Sequence, residues 1–500
     1  MSSRKISKNA LSNLVGMFGH ILIAFILSPF LVHTLGDTKY GIWTVAVAFT
    51  GYMNLMDIGL GSAVNKYVAR YAGLKDQDKI DQIISTALVL FLVMGLVIIL
   101  ISPVMANLVV GILSLDETLK DVVYLLIIIV SFDVAIFVVR GLFKGVFGGY
   151  QSYTTINVIL LLSAIYKAAM FYVFLSYGYD LISMAAISIT ANVLSLLAFY
   201  LLLRKFHPEV TISLKFSNKS SAGKILNFSK FTFLTMLANQ VIYYSDAFVI
   251  GYFMSTAAIT YYSIPWTLAE YAKKISRSIS QTYAPAVSET DARDDIEKIH
   301  LLYLSGSRYM MITSNLLSVG MIVLGGAFIA IWMGPKYREL CEAVLAILFI
   351  NLYFQGPQQI SYSFLQGLGR QKAYSYVTVV VSVCNLALSI ILVQKWGIVG
   401  VALAAAIPQV LFHGLYVPWL TLKTIGMPFR VYVYETHLKS FIPTMALGGS
   451  LYYVYNFHYP TSYLELLASA FCCTLFYLFL VMVLMLNKSE KQVLISLVRK

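Results

Sequence analysis

The chain has 500 residues, of which 59% are hydrophobic and only 12% charged, and 36 Lys and Arg against 23 Asp and Glu give a formal net charge of +13. That length would allow two or three soluble domains, but this composition excludes them. In a soluble protein the basic balance would point to nucleic acid; here the bases read as topology-setting residues of cytoplasmic loops.

Fourteen stretches each reach the roughly 20 apolar residues that a helical span requires. In chain order they cover roughly 12–34, 41–60, 82–103, 119–139, 152–174, 181–203, 228–254, 258–282, 305–332, 341–363, 374–393, 398–421, 438–456 and 463–486. Runs this long argue for helices, since a barrel shows alternating segments of about ten residues. Arg4, Lys5 and Lys8 precede the first run, which lacks a small-residue cleavage pattern and reads as a retained span. With the N-terminus inside, only five bases fall on the opposite side: Lys39, Lys120, Lys336, Arg338 and Lys395. Both termini are therefore expected to be cytoplasmic.

The chain repeats itself weakly at an offset of about 220 residues. Tyr153 and Tyr177-Gly178 match Tyr374 and Trp396-Gly397, and Tyr40–Trp43 faintly match Ile259–Tyr262. That offset equals six spans, an even number, so the repeat is parallel. The expected organisation is an N-lobe over 1–203 (spans 1–6), a cytoplasmic linker over 204–227 and a C-lobe over 228–421 (spans 7–12). Spans 13 and 14 follow over 438–486. A tail over 487–500 carries Val493, Leu494, Leu497 and Val498 between bases and is expected on the inner membrane surface. The longest external loop, around 104–118, leaves no room for an outer catalytic domain.

No G-x-x-x-x-G-K-[ST], H-E-x-x-H or G-x-S-x-G motif occurs, and Gly223-Lys224 lacks the upstream glycine loop. An ATP motor, an enzyme activity, a metal and a cofactor are all unexpected. The four cysteines lie in or beside apolar spans and read as small core residues. His20, His33 and His413 read as packing residues more readily than as proton relays.

Ionisable residues inside spans carry the information, because burying one in lipid costs about 2.5–3.5 kcal/mol or more. In span 4, Asp133, Arg140 and Lys144 share one helix face at about 100° per residue. In span 8, Glu270, Lys274, Arg277 and Gln281 do the same, with Lys273 beside them. Lys167 lies in span 5, Asp246 in span 7 and Arg308 near the start of span 9. Two readings stay open at this level. In one, Arg140, Lys144, Lys167, Lys274, Arg277 and Arg308 hold an anionic substrate in a wet cavity, with Asp133, Asp246 and Glu270 coupling an ion or pairing with the bases. In the other, the long bases snorkel to the surface and the buried charges pair between helices.

The segment 35–71, LGDTKYGIWTVAVAFTGYMNLMDIGLGSAVNKYVARY, resembles the N-terminal region of bacterial polysaccharide flippases of the multidrug/oligosaccharidyl-lipid/polysaccharide exporter superfamily. Leu35-Gly36, Tyr40-Gly41, Asp57-x-Gly59-Leu60-Gly61, Gly367-x-Gly369-Arg370 and Trp396-Gly397-x-x-Gly400 carry the likeness. The resemblance implies an all-α polytopic fold of two six-helix lobes in a V, with two extra C-terminal helices. It implies movement of a polyprenyl-pyrophosphate-linked oligosaccharide from the inner to the outer leaflet of a bacterial cytoplasmic membrane. Proton or sodium coupling, contact with membrane lipids and partnership with other polysaccharide assembly proteins follow from the same likeness. The alternatives are a cation-coupled multidrug exporter, against which the basic span charges argue, and a lipid-linked peptidoglycan precursor flippase, which fourteen spans would suit.

Overall fold

The computed structural model describes residues 3–53, 55, 59–487 and 490–492. Asp57 of the glycine motif and the apolar tail residues Val493, Leu494, Leu497 and Val498 lie outside them. The chain forms two compact units, Met1–Thr260 and Tyr261–Lys500. The cut falls in the first turns of a helix rather than in the expected linker.

The first unit contains α1 (Ser3–Met53), α2 (Leu60–Leu74), α3 (Gln77–Ile112), α4 (Glu117–Gly149), α5 (Tyr153–Ser176), α6 (Leu181–Phe206), α7 (Lys219–Phe253) and the start of α8 (Thr256–Ser280). Helix α1 is two spans joined at Gly36, whose φ of 75° and ψ of 166° lie in a region essentially reserved for glycine. Phe30 packs on Tyr172 and Trp43 on Phe171. Residues on either side of Gly36 thus meet one turn of α5, so the chain doubles back there. Helices α5 and α6 form a second hairpin around Gly178 (φ 86°), tied by Tyr166 Oη to Thr190 Oγ1 at 3.2 Å and by Ser163 Oγ donating to the Ala191 carbonyl at 3.4 Å. Helix α4 meets α2 through a seam of small residues, as close-packed membrane helices do. A Cβ at Gly145 would sit 2.7 Å from the Gly61 carbonyl, and one at Gly149 would sit 2.7 Å from the Val68 side chain.

The polar connection after α6 runs along the first turns of α3. The backbone N–H groups of Thr211, Ser213 and Asn218 donate to Asp81, Ser85 and Thr86 at 3.0–3.2 Å. Helix α7 joins this unit, with Gln240 Nε2 donating to the Gly51 carbonyl at 2.8 Å.

The second unit holds the rest of α8, then α9 (Tyr283–Asp291), α10 (Ile296–Met333), α11 (Pro335–Gly367), α12 (Gln371–Pro408), a π-helical stretch over Gln409–Tyr416 and α13 (Val417–Ile425). It continues through α14 (Phe429–Tyr432), a π-helical turn over Val433–Leu438, α15 (Lys439–Phe457) and α16 (Tyr463–Leu484). Gly397 (φ 56°, ψ −137°) breaks α12 into two spans. Thr378 Oγ1 reaches His413 Nε2 at 3.5 Å across this hairpin. Helices α15 and α16 pack on α10, where Asn315 Nδ2 donates to Thr444 Oγ1 at 2.6 Å and Tyr477 Oη to the Ile312 carbonyl at 3.2 Å.

Among the described residues the fold is all-helical, with fourteen helical segments long enough to cross a membrane. Helix α1 supplies two, α3 to α8 six and α10 and α11 two. Two more come from the halves of α12, the second extended through α13, and the last two are α15 and α16. Short helices α2 and α9 start about 220 residues apart, as do the glycine turns at Gly178 and Gly397. The polar stretch 285–300 holds most of α9, a turn over 292–295 and the start of α10. Its Glu289–Arg293 pair at 2.5 Å is spaced i,i+4, and Asp295 caps α10 by accepting the Lys298 N–H.

Candidate functional site

In the first unit, one cluster collects charges from two helices and a bridging amide from a third. Asp133 of α4 is buried, and its Oδ1 accepts the Asn192 Nδ2 of α6 at 2.6 Å. Asn192 in turn accepts Arg140 Nη1 through its Oδ1 at 2.8 Å. Arg140 lies about two turns along α4 from Asp133 on the same face, as the seven-residue spacing requires, and its guanidinium stacks 4.6 Å from the Phe137 ring. Lys167, midway along α5, lies 5.9 Å from the Phe171 ring and shares electrostatic reach of the Asp133 carboxylate with Arg140. Two cations thus face one anion, with one amide bridging. Lys144, about one turn beyond Arg140, is exposed. Asp246 of α7 is buried elsewhere in this unit, within electrostatic reach of Tyr52.

In the second unit, α8 buries Glu270 with Lys273 at 3.1 Å and leaves Lys274 exposed, 5.7 Å from the Tyr271 ring. Sequence spacing had put Glu270 on a face with Lys274. The helix instead turns Lys273 inward, because one residue is about 100° of rotation. Arg277 is half-buried. Arg308 is buried, and two of its three guanidinium nitrogens meet carboxylates. Its Nη1 meets Glu435 at 3.0 Å and its Nη2 meets Glu490 at 2.5 Å, while Lys439 holds Glu435 from the other side at 2.8 Å. Of the sequence candidates, the structure therefore joins Asp133, Arg140 and Lys167. Within the first unit Lys144 is exposed and Asp246 faces Tyr52 instead, while Glu270, Lys274, Arg277 and Arg308 belong to the second unit.

Several polar residues were not singled out from sequence. Asn192 is the bridge of the first cluster, and an uncharged amide in a span gives no charge signal. A second buried network links Gln355 of α11 to Asn351 at 2.8 Å and to Gln409 at the start of the π-helical stretch. Gln409 also accepts Asn351 Nδ2 at 3.3 Å. One turn on, His413 is buried, stacked on Tyr374 with ring centroids 5.3 Å apart, and within electrostatic reach of Lys273. π-Helical insertions gather at functional sites, but nothing in a sequence period marks them.

Chemically, the first cluster is a net cationic site at the depth of the membrane helices. Such a site suits an anion that can replace bulk water with charge-assisted hydrogen bonds.

The chain matches the family model described as polysaccharide biosynthesis protein over residues 6–291, and the model MatE over residues 232–391. It is 24% identical to a protein assigned as an O-antigen transporter in Shigella flexneri, over 83% of this chain and 97% of that one. It is also 24% identical, over 40% of this chain and 42% of the relative, to one assigned as the low-salt glycan biosynthesis flippase Agl15 of Haloferax volcanii. Among solved structures, the lipid II flippase MurJ in an inward closed conformation superposes with a TM-score of 0.77 at 16% identity, covering 95% of this chain and 98% of that one. An inward-facing multidrug resistance MATE family transporter superposes with a TM-score of 0.73 at 16% identity, covering 83% and 98%.

Proposed function

The chain belongs to the polysaccharide biosynthesis protein family, and from that premise we propose that it flips a polyprenyl-pyrophosphate-linked oligosaccharide from the inner to the outer leaflet of a bacterial cytoplasmic membrane. It does so by alternating access without ATP hydrolysis, with both termini cytoplasmic. The observation that carries this reading is the Asp133–Asn192–Arg140–Lys167 cluster, with Asp133 and Asn192 buried, Arg140 and Lys167 half-buried, and two formal cations to one anion.

The physical need is clear. A sugar hydroxyl moved from water to alkane without a partner costs roughly 4–8 kcal/mol, so a multi-sugar headgroup needs a polar route. The carrier tail stays in the lipid. Arg140 offers a planar fork that suits a phosphate oxygen pair, and Lys167 a mobile point charge beside it. Asn192 holds the Arg140 guanidinium in place while the site is empty, and Asp133 keeps the two cations from facing each other unscreened. Lys144, Lys274 and Arg277 are assigned to guiding the anionic headgroup. Glu270, with Lys273, and Asp246 are the candidates for ion coupling. Arg308 is assigned to the headgroup set only if its carboxylate partners release it.

A multidrug exporter of the same superfamily would take cationic drugs, which this cluster repels. A lipid-linked peptidoglycan precursor also bears a pyrophosphate, and the fit to the MurJ fold over 95% of the chain favours keeping it as the second reading. The test uses the purified chain in liposomes with a short-tailed fluorescent lipid-pyrophosphate oligosaccharide. Protein-dependent appearance of the headgroup in the opposite leaflet is expected. Export of cationic dyes with no headgroup movement would reject the reading. A response to an imposed proton or sodium gradient identifies the coupling, and its loss in Glu270→Gln assigns that residue.

A further inference from the structure

In the second unit, the turn between α10 and α11 and the turn between α15 and α16 enclose a cavity of about 580 Å³ lined by Arg338, Glu339, Glu342, Tyr459 and Thr461. None of these residues has a part in the translocation reading above. The volume lies within the roughly 300–1,000 Å³ typical of small-ligand sites. Its chemistry is polar and mixed in charge, set over the apolar side chains of Ala330, Ile331 and Pro460.

Arg338 organises the site. Its Nη2 donates to Tyr455 Oη at 2.9 Å, its Nη1 to Tyr459 Oη at 3.2 Å and its Nε to Glu342 Oε2 at 3.4 Å. Its guanidinium also lies 5.1 Å from the Tyr459 ring. Both phenol oxygens accept from Arg338, so each phenol O–H proton is left to donate elsewhere. Glu342 keeps a second oxygen as an acceptor, and Glu339 is exposed beside it. The facing loop is rigid, because Thr461 donates its N–H and its O–H to Glu465 at 2.8 and 3.1 Å and Ser462 caps α16 by accepting the Glu465 N–H.

Donors and acceptors in alternation, over a partly apolar floor, match a pyranose. Its neighbouring hydroxyls both give and take hydrogen bonds, and its C–H faces are apolar. A bare phosphate fits poorly beside two carboxylates. A cationic drug would leave the phenol donors unused. We propose that this cavity is a carbohydrate site that receives the sugar headgroup on the outer side of the membrane. The side and the source of the sugar rest on the flippase reading; the chemistry rests on the cavity alone.

The test is direct binding to the full chain in nanodiscs, with no carrier lipid and no ion gradient. Free lactose, maltose, chitobiose and mannobiose are the probes, read by saturation-transfer difference NMR. At least one is expected to bind, about three- to tenfold more weakly in Tyr459→Phe and in Glu339→Gln, as loss of a neutral or charged hydrogen bond implies. Glu339 is exposed, so its variant tests the site without disturbing the fold. No transfer to any of the four sugars, or transfer that both cavity variants leave unchanged, overturns the inference. Flipping without sugar binding sinks this site alone. Sugar binding without flipping keeps the site and sinks the flippase reading.

Discussion

Replacing Arg308 by Met asks whether its ion pairs are structural. The side chain is 4% exposed and holds Glu435 and Glu490 at 3.0 and 2.5 Å. Removing one partner of a buried pair costs about 3–5 kcal/mol, because the remaining charge is stranded. Here the lower end applies. Glu435 keeps Lys439 at 2.8 Å, and Glu490 keeps the Asn487 N–H at 2.9 Å. A loss of roughly 3 kcal/mol, at about 2–4 °C per kcal/mol for a unit of this size, lowers the melting temperature by roughly 6–12 °C. The assay is heating of the full chain in nanodiscs, followed by fluorescence-detected size exclusion. Adding Glu435→Gln and Glu490→Gln to Arg308→Met removes the stranded charges and should recover most of the loss. A single variant that melts within about 2 °C of the parent, or a triple variant no better than the single, refutes the reasoning. A stable Arg308→Met that no longer flips would instead assign Arg308 to the substrate.

Arg140→Ala and Lys167→Ala should each reduce headgroup flipping by roughly 10- to 100-fold at equal protein level, the scale of one charge-assisted hydrogen bond. Asn192→Leu should lower it too, since it frees Arg140 from its bridge and leaves Asp133 without its amide partner. Equal flipping by all three in the liposome assay would remove the cluster from the substrate path. Gly36→Ala and Gly397→Ala put a side chain where φ is 75° and 56°. Each should destabilise by about 1–3 kcal/mol, visible in the same melting assay, whereas Ala at the helical Gly320, which has open space beside it, should not. Gln409→Leu strands the Asn351 and Gln355 amides in the core and should cost about 1–3 kcal/mol. A Gln409→Leu variant that melts with the parent would contradict that account.

The spans, their number and the glycine turns were legible because hydropathy and glycine punctuation are local properties. Gly178 and Gly397 could be paired from sequence alone, since both follow an aromatic residue at corresponding points of the repeat. The Asp133–Arg140 relation was legible for the same reason, as a seven-residue spacing on one helix. What joins that pair to α6 was not. Asn192 is 59 residues away and uncharged, so neither periodicity nor charge marks it. Lys273 and Lys274 differ by one step of helical phase, and packing rather than pattern decides which turns inward. Glu490 lies in a polar tail that reads as surface, yet it closes onto a buried arginine 182 residues earlier. The π-helical stretch over Gln409–Tyr416 has no sequence period of its own, and so the depth of Gln409 was invisible, whereas His413 was already legible as a packing residue.

The hairpin of α5 and α6 bears on how the chain is made. A ribosome delivers α5, with Lys167 near its middle, before α6 exists. Alone in lipid, that lysine costs about 2.5–3.5 kcal/mol on insertion. Gly178 lets α6 fold back within a few residues, and the Tyr166–Thr190 and Ser163–Ala191 contacts zip the two together. The unit that leaves the translocon is then a helix pair whose polar residues face each other rather than the acyl chains. Lys167 itself meets its charged neighbours on α4, Asp133 and Arg140, which the ribosome has already delivered when α5 emerges.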